Sequence, residues 1–512
     1  MKYCAALLPI LLWGGAAHAQ RGRAPLAVEL RDAGPGIGPA ILERALAGPH
    51  IVIPPDRELV LLRRDSVYRT TVIVLGRDAV VEGSVRGDLI VVAGDLYMHP
   101  GGSITGRAIA IGGGVYESTL AQIGGGTQSF RDFTYDITTN SSGFALSYRT
   151  VVARQTSTIE WPGIYGLAIP SYDRSNGLSL GFGPSIRPGS STRAGVIVVE
   201  PRVTYRSQLG RIDPMLTVTD SIDRRTFVRV IGQRSTFSND KWIWSDLVNS
   251  AEFILLGDDA RNYYRATRGD LLVARRWEGV SWTLEPSIGA RFERSSSVRP
   301  DSNAEGGPFT IFNQHDRDDR LRPNPPVEGG RIASGLFGAT LDWADQGIVA
   351  RARADLEIGD WSGGAAIDSS TRSTFGQLTV DGSIGFPTFG TQSFQFDAHA
   401  ILTSHGPIPR QRWHYLGGPG TLPTLELLEL GGDQLLFLDA RYNFPIDQIA
   451  LPLGGSPTLT LREVVGGADR GRFPTLEQAT GVRLSLSVFH VEVMADPVHH
   501  HVHESVGISV AR

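Results

Sequence analysis

A run of histidines near the C-terminus is the densest group of side chains that could do chemistry. His499, His501 and His503 alternate, so on a strand they would share one face, and imidazole is a common metal ligand. Asp496 lies nearby, but no cysteine or other aspartate completes a ligand set at a fixed spacing. The alternative, a solvated external hairpin before the final strand, is favoured. These histidines are therefore weak metal candidates, and no metal or other cofactor is predicted.

Other patterns that could indicate catalysis are incomplete. Asp258 and Asp259 form a carboxylate pair without an identifiable partner base, so a charged loop is the favoured interpretation. No G-x-S-x-G nucleophile elbow surrounds Ser175, and the glycine triplets at 112–114 and 124–126 are followed by neither a lysine nor a helix start. The net charge of -4 gives no reason to expect a nucleic-acid partner. The sequence predicts a protein that is not an enzyme and binds no nucleic acid.

The first residues predict export from the cytoplasm. Lys2 supplies a positive charge, residues 5–17 form a short apolar core, and Ala17-His18-Ala19 matches a small-x-small cleavage site. We predict a signal peptide over residues 1–19, because the apolar run is too short for the alternative, a retained membrane helix. The single cysteine, Cys4, lies inside this segment, so the exported chain is expected to have no disulfide.

Strands of alternating character recur from about residue 130 to residue 512. In the clearest, Val280–Phe292, every even-numbered position is apolar, whereas the odd-numbered positions include Glu285 and Arg291. One apolar and one charged face suit a wall between lipid and a water-filled interior. A soluble sandwich, the alternative, would turn its polar faces to solvent. No run after the signal reaches the ~18 apolar residues that a transmembrane helix needs.

The same alternation sets the expected strand number. Residues 350–358 and 394–400 repeat it, and polar segments rich in Gly, Pro, Asp and Asn separate the strands. The fold class is predicted to be all-β, with a transmembrane antiparallel β-barrel of about 16 strands over residues 130–512 and a small N-terminal β-helix. The sequence also predicts one long external loop at Ser295–Arg331 and further strands. The strands are Gly177–Phe182, Gly195–Tyr205, Leu378–Phe386, Thr458–Val465, Gly481–Val488, Phe489–Met494 and Ser505–Val510.

Residues 65–127 repeat with a period of nineteen positions. Gly83–Gly87 aligns with Gly102–Gly106, and Ala93–Tyr97 aligns with Gly112–Tyr116. This period is about one coil of a β-solenoid with glycines at its corners, in which Val85 and Ile104 would be stacked, inward-facing equivalents. The segment resembles the polymer-forming bactofilin-type β-helix, and self-association through it is expected; a small β-sandwich is the alternative. Residues 20–64 are expected to form a loosely packed lead-in with one helix, Gly38–Leu46, ended by Gly48.

The segment Leu416–Ile446 joins a glycine-rich loop to one long strand. The loop carries Gly417, Gly418, Gly420, Thr421 and Leu422. In the strand, positions 436, 438, 440, 442 and 444 are apolar, whereas the opposite face becomes polar. The segment resembles the C-terminal signature of the bacterial outer-membrane surface-antigen superfamily, in which a Gly-Gly loop folds into the pore and the next strand ends in an E-Y-R-F-P-like sequence. The matching strand residues here are Asp439, Arg441, Tyr442, Phe444 and Pro445.

This resemblance covers most of the predicted barrel. Tyr172–Leu178 is similar to an early barrel strand of the superfamily, and Asp259–Arg265 to a mid-barrel segment. The resemblance implies that residues 416–433 fold back into the lumen. It also implies differences: Pro423 stands where the family has an arginine, so the loop is expected to lack the arginine that pairs with a lumenal carboxylate. The family's periplasmic polypeptide-binding POTRA domains are absent, and the β-helix stands in their place.

Two classes of function follow. The first is assembly or translocation of proteins in the outer membrane of a Gram-negative-type bacterium, as the resemblance implies. The second is a passive channel, or a structural anchor for a periplasmic, polymer-forming β-helix. In both, the expected partners are outer-membrane lipid and an unfolded polypeptide or a periplasmic protein, and residues 65–127 lie in the periplasm.

Overall fold

The computed structural model describes residues 27–508 apart from residues 57, 119–120, 141–142, 152–157, 190–195, 224, 299–321, 346, 364–371, 405–407, 447–448, 450–455, 487–488 and 499–501. The predicted signal peptide lies outside the described residues. Strands dominate this part of the chain and form an N-terminal solenoid and a large antiparallel sheet. Among the described residues, no helix has the length and apolar character needed to span a bilayer.

The lead-in to the solenoid consists of β1 (Ala27–Asp32), α1 (Ile37–Ala47) and β2 (His50–Ile53). The predicted helix is confirmed: it ends at Gly48, whose backbone N–H donates to the Arg44 carbonyl oxygen. The expectation of loose packing was wrong, because Ile41 and Leu42 are buried in a cluster with residues of the solenoid.

Twelve short strands form the solenoid, three to each coil. They are β3 (Val60–Leu62), β4 (Val67–Tyr68), β5 (Thr71–Leu75), β6 (Ala79–Val81), β7 (Ser84–Val85), β8 (Leu89–Val92), β9 (Leu96–Met98), β10 (Ser103–Ile104), β11 (Ala108–Ile111), β12 (Val115–Glu117), β13 (Gln122–Ile123) and β14 (Thr127–Phe130). They stack as three parallel sheets, with orders β3-β6-β9-β12, β4-β7-β10-β13 and β2-β5-β8-β11-β14.

Register and burial explain the repeat in the sequence. Val85 and Ile104 are register partners nineteen positions apart and are both buried, as predicted. The offset between Val67 and Ser84 is seventeen, so one coil is shorter. A Cβ atom at Gly102 would lie 2.5 Å from the Val81 carbonyl oxygen, so this corner requires glycine.

The sheet of β5, β8 and β11 is buried on both faces. One face forms the solenoid core with residues such as Val74 and Val91, and the other packs under α1 and the hairpin β15 (Phe133–Thr139) and β16 (Gly143–Thr150). β1 pairs parallel to β16 and extends this covering layer. Burial on both sides explains why these strands are uninterrupted apolar runs rather than alternating ones.

The large sheet contains the rest of the chain. Its segments, with one helix and a small hairpin in the connections, are β17 (Thr158–Glu160), β18 (Ser171–Asp173), β19 (Gly177–Phe182), β20 (Ser185–Arg187), β21 (Val196–Arg206), β22 (Arg211–Ser221), β23 (Thr226–Phe237), α2 (Asp246–Leu255), β24 (Tyr264–Arg275), β25 (Trp277–Glu278), β26 (Trp282–Ser297), β27 (Gly330–Asp345), β28 (Ile348–Gly363), β29 (Arg372–Pro387), β30 (Ser393–Thr403), β31 (His414–Leu416), β32 (Leu430–Gly432), β33 (Gln434–Pro445), β34 (Thr458–Asp469), β35 (Glu477–Leu486), β36 (Phe489–Ala495) and β37 (Val502–Ile508).

Each strand of this sheet pairs antiparallel with the next. Nineteen segments belong to the sheet. β19 and β20 both pair with β21, β24 and β25 both pair with β26, and β17 and β18 pair with β20 and β19, so these six segments form three strands and the described strands number 16. The predicted all-β fold, with an antiparallel barrel of about 16 strands and an N-terminal β-helix, is confirmed.

The two faces of the sheet differ in character. Leu438 and Val493 are 44% and 45% exposed, whereas their neighbours Asp439 and Glu492 are 1% and 0% exposed. Apolar side chains therefore cover the outer surface, and charged side chains are enclosed within the barrel, as in transmembrane barrels.

The solenoid contacts one end of the barrel. Arg44 Nη2 lies 2.6 Å from Asp345 Oδ1 and Arg44 Nη1 donates to Ser281 Oγ at 2.6 Å, while Arg107 Nη1 donates to the Val280 carbonyl oxygen at 2.5 Å. Ser281 and Asp345 lie beside turns that join consecutive strands within a few residues. The longer connections, between β23 and β24, between β26 and β27 and between β30 and β33, start from the strand ends at the opposite end of the barrel.

Candidate functional site inside the barrel

Residues 404–433, here called the inner loop, pack against the inner face of the sheet. β31 pairs antiparallel with β32, which closes the loop on itself. Leu416 and Leu422 are fully buried in one cluster with Phe437 of β33 and Met494 of β36. Contacts with strands so far apart in the sheet require that the wall curves around the loop.

The glycines of this loop have separate roles. Gly417 and Gly418 have φ of +127° and +84°, a region that favours glycine. The Gly417 N–H donates to Thr421 Oγ1 at 2.7 Å, and the Gly418 N–H to the Leu422 carbonyl oxygen at 2.9 Å. A Cβ at Gly420 would lie 2.5 Å from Ile243 Cγ2. The first two glycines therefore shape the tip of the loop, and the third allows close contact with a second loop.

The inner loop carries a buried arginine, Arg412, in the short helix Arg410–Arg412. Its guanidinium donates from Nε and Nη2 to the two carboxylate oxygens of Glu357, both at 3.0 Å, and from Nη1 and Nη2 to those of Glu293 at 3.1 and 3.3 Å. The planar fork thus binds two carboxylates from β26 and β28 at once. Residues 416–433 themselves contain no arginine, but Arg412, just before them, pairs with the carboxylates of the wall and holds the loop.

Neighbouring side chains balance the charge of this cluster. Glu293 also accepts from Arg268 Nη2 at 2.5 Å, and Arg291 Nη1 lies 3.6 Å from Glu357. Gln377 Nε2 donates to the Arg412 carbonyl oxygen at 2.8 Å. Because each buried charge has an opposite partner and hydrogen bonds, the cluster fixes the inner loop to the wall.

A second ion-pair ladder crosses the inner face from β30 to β36. Asp439 accepts from Arg441 Nη2 at 2.7 Å and from Arg462 Nη2 at 2.9 Å. Arg462 Nη1 continues to Glu492 at 3.1 Å, and Glu492 also pairs with Arg483. Two residues of the sequence motif, Asp439 and Arg441, therefore lie on the enclosed face.

The remaining strand-motif residues lie on the outer face or at the strand end. The Tyr442 hydroxyl donates to Gln392 Oε1 at 2.7 Å and lies 2.9 Å from Thr388 Oγ1, and both partners lie in the turn between β29 and β30. The ring of Phe444 lies edge-on to that of Tyr442, with centroids 4.7 Å apart. Pro445 is the last residue of β33.

Residues 238–263, here called the helical loop, pack against the inner loop. Asp240 accepts from the Tyr415 N–H at 3.1 Å and from the Asn262 N–H at 2.8 Å, and so ties the two loops together. The Trp242 ring stacks on His399 of β30, with centroids 4.0 Å apart. Burial raises the pKa of Asp240 to about 7, although the two backbone donors and nearby arginines favour its charged form.

The helical loop also brings together the two other segments that resemble the superfamily, Tyr172–Leu178 and Asp259–Arg265. Asp259 accepts from the Arg174 N–H at 3.1 Å, from Asn249 Nδ2 at 3.0 Å and from the Tyr263 hydroxyl at 2.9 Å. Asp173 accepts from the Asn176 N–H at 2.7 Å in the turn after β18. The motifs Tyr172–Leu178 and Asp259–Arg265 are thus two halves of one buried polar contact.

Sequence reasoning missed Arg412 and its pairing with Glu293 and Glu357. Glu357 lies in the alternating segment 350–358, but its partner Arg412 lies 55 positions away in a loop. The available signal was the presence of carboxylates on inward positions of two strands separated by one strand, which favours a buried cation between them. Of the histidine candidates, His503 lies in β37, whereas His499 and His501 lie outside the described residues.

Comparisons with known proteins give structural similarity only. No protein-family profile and no curated protein matches the sequence. The fold is similar to BamA from Haemophilus ducreyi lacking POTRA domains 1-3, with 9% identity, a TM-score of 0.44, and coverage of 73% of this chain and 74% of that one. It is also similar to CdiB from Acinetobacter baumannii, with 9% identity, a TM-score of 0.37, and coverage of 73% of this chain and 65% of that one.

CdiB from Escherichia coli has 12% identity, a TM-score of 0.39, and coverage of 73% of this chain and 66% of that one. The chain thus spans slightly less than two thirds of either CdiB. At these identities and TM-scores, the similarity assigns no activity.

Proposed function

We propose that the protein is an outer-membrane barrel of the surface-antigen type that acts in protein assembly or translocation and is not an enzyme. In this proposal the end with long loops faces outward and the end with short turns faces the periplasm, because short periplasmic turns and long external loops are the rule for outer-membrane barrels. The solenoid contacts the short-turn end through Arg44 and Arg107, which supports a periplasmic position for it in this proposal.

The observation that carries this proposal is the inner loop on the enclosed face of the sheet. Its tip is shaped by Gly417 and Gly418, and Arg412 just before the tip binds Glu293 and Glu357 of the wall. A glycine-rich loop held inside the barrel beside the strand motif at Asp439 and Arg441 is the feature by which the sequence resembles the surface-antigen type.

The barrel interior supports the same function over a solute channel. The inner loop and the helical loop pack on each other inside the wall, where Arg412 is clamped between Glu293 and Glu357. A passive pore needs a continuous water-filled path, whereas these contacts fill the long-loop end of the barrel with buried side chains.

The second candidate is a structural anchor, in which the barrel holds the solenoid at the membrane. The contacts of Arg44 with Ser281 and Asp345 favour this role, because they fix the solenoid against the barrel. Self-association through the end coils of the solenoid would then build a periplasmic polymer.

Depletion of the protein, followed by quantification of the outer-membrane proteome, separates the two. Loss of several other barrel proteins is the expected result, and re-expression of the unchanged chain should restore them. Arg412→Ala should restore them poorly, whereas the matched control Arg410→Ala, in the same short helix, should restore them fully. An unchanged proteome with altered permeability or periplasmic organisation would favour the channel or anchor instead.

A further inference from the structure

A row of arginines crosses the outer face of four neighbouring strands. Arg234 of β23 lies opposite Thr267 of β24 in the strand register. Thr267 in turn lies opposite Arg294 of β26, and Arg294 lies opposite Arg331 of β27. The three arginines are all exposed, and together they are called the arginine row.

The apolar residues beside the row show which face and which depth it occupies. Phe292, two positions before Arg294 on β26, is 67% exposed, and Phe337, six positions after Arg331 on β27, is 45% exposed. Because side chains alternate along a strand, the arginines project from the same outer surface as these rings. Arg331 is the second residue of β27, at the long-loop end. The row therefore lies where the apolar band meets that end, at the level of lipid headgroups.

The protein does not balance the charge of the row. In the part of the chain that the structure describes, no carboxylate forms an ion pair with Arg234, Arg294 or Arg331. Arg265, at the next outward position of β24, by contrast pairs with Asp213 at 2.6 Å. Like charges directly opposite each other, such as Arg294 and Arg331, destabilise an antiparallel pair of strands. An anionic ligand outside the protein would remove this repulsion.

Two glycines leave an open strip of strand backbone beside the row, on its short-turn side. Gly232 of β23 and Gly269 of β24 are register partners, two positions from Arg234 and Thr267. A Cβ atom at either glycine would meet no other atom within 4 Å. Phe292, which lies opposite Gly269, borders this strip with its exposed ring. The strip has room for an acyl chain whose headgroup meets the arginines.

We propose that the arginine row binds the phosphate groups of a lipid headgroup, with an acyl chain of the same lipid against Gly232, Gly269 and Phe292. A guanidinium donates two parallel hydrogen bonds to a phosphate, and three guanidinium groups in one row suit a headgroup that carries more than one phosphate. This site goes beyond the proposed function, because it requires that the barrel lies in a membrane but not that it acts in protein assembly.

Binding of diphosphorylated lipid A, a glucosamine lipid, to the full chain in a neutral detergent tests the row. Native mass spectrometry counts the bound lipid at each concentration. The triple variant Arg234→Gln/Arg294→Gln/Arg331→Gln should bind this lipid at least about tenfold more weakly, because charge-assisted hydrogen bonds to the phosphates are lost. Arg275→Gln removes an exposed arginine from the outer face of β24 at the short-turn end, and this control should bind like the unsubstituted protein.

Two further measurements identify the ligand and the role of the row. Inorganic phosphate at the same concentration should not displace the lipid, since it has no acyl chain to lie on the strip. The thermal midpoint of the lipid-free triple variant should not fall, because the substitutions remove like charges and no ion pair. A lower midpoint would mean that the arginines support the fold, and would count against a ligand site.

Equal binding of the lipid by the triple variant would overturn the proposal, and so would displacement by inorganic phosphate or an equal loss of binding in Arg275→Gln. A dimer of the lipid-free protein that the triple variant abolishes would assign the row to a contact between copies instead. Because binding is measured on the purified chain, row-dependent lipid binding together with an unchanged proteome after depletion would support the site and count against a role in assembly.

Discussion

At the residue scale, one arginine determines how the inner loop is held. Arg412 is 3% exposed and binds Glu293 and Glu357, which are presented by different strands. A buried ion pair contributes little net stability compared with apolar packing, but removal of one partner leaves charges buried without compensation. The cluster therefore chiefly fixes the position of the inner loop against the wall.

Arg412→Ala should destabilise the protein by about 3–5 kcal/mol, because two carboxylates would lose their shared cation. The measurement is the temperature at which the folded band converts to the unfolded band on a gel. Arg412→Lys should lose most of the same stability, since an ammonium group cannot bind both carboxylates in the bidentate manner. Arg410→Ala is the control, and an equal loss of stability in that variant would show that Arg412 does not specifically hold the inner loop.

Asp240 should make the contact between the two loops depend on pH. Its pKa is raised by burial to about 7, so between about pH 4 and pH 7 the folded protein binds more protons at this residue than the unfolded chain. The stability that it contributes is fully present below about pH 4 and is lost as the pH rises through about 7.

Asp240→Asn should therefore show a smaller decrease in thermal midpoint between about pH 5 and pH 8 than the unsubstituted protein does. Tryptophan fluorescence is a suitable measurement, because Trp242 and Trp244 pack in the same cluster. Equal pH dependence in the two proteins would mean that the Asp240 carboxyl does not titrate in this range.

At the scale of elements, the solenoid has its own core and should be able to unfold while the barrel stays folded. Val85 lies in the solenoid core, stacked on Ile104 and surrounded by Val74 and Val91, all of them buried. Among the described residues, none of the barrel belongs to this core, and the barrel contacts the solenoid through polar groups such as Arg107 and through Val280, which packs against the cluster under α1.

Val85→Asp should unfold the solenoid while the barrel stays heat-modifiable, because the substitution buries a charge without a partner at a cost of several kcal/mol. Limited proteolysis should then cleave within residues 60–130, whereas Ser84→Asp, the half-buried neighbour, should remain resistant. Full resistance of the Val85→Asp protein across this region would contradict the stacked coil.

At the scale of the whole molecule, the sheet is a curved wall whose ends meet at α2. The inner loop contacts strands from β26 to β36, and α2 contacts β18 and β37, so the described strands enclose the two loops. Apolar side chains outside and paired charges inside match a wall between lipid and an enclosed interior.

The barrel part of the chain, from β17 at Thr158 onward, should fold only in the presence of detergent or lipid. Its band on a gel should shift on heating, and its circular dichroism should be rich in β-structure, because the exposed apolar side chains of the outer face would otherwise associate in water. A water-soluble, monomeric fragment with the same strands would rule out a membrane barrel.

The sequence by itself determined the elements and their faces. Alternation with period two predicted β19 at its observed bounds and placed Asp439 and Leu438 on opposite faces, because side-chain direction in a strand is a local property. The nineteen-residue repeat predicted the stacking of Val85 and Ile104, since register in a solenoid follows from coil length.

Only the tertiary structure decided which distant polar and charged groups meet. Arg412 and Glu293 are 119 positions apart, and Glu252 and Ile508 are 256 positions apart. No local periodicity encodes such a pair, because the distance between them depends on how far the whole sheet curves and on how each loop folds back. The family's arginine position is occupied by Pro423 at the glycine-rich tip, and only the curved wall shows that Arg412, before β31, lies where two inward carboxylates converge.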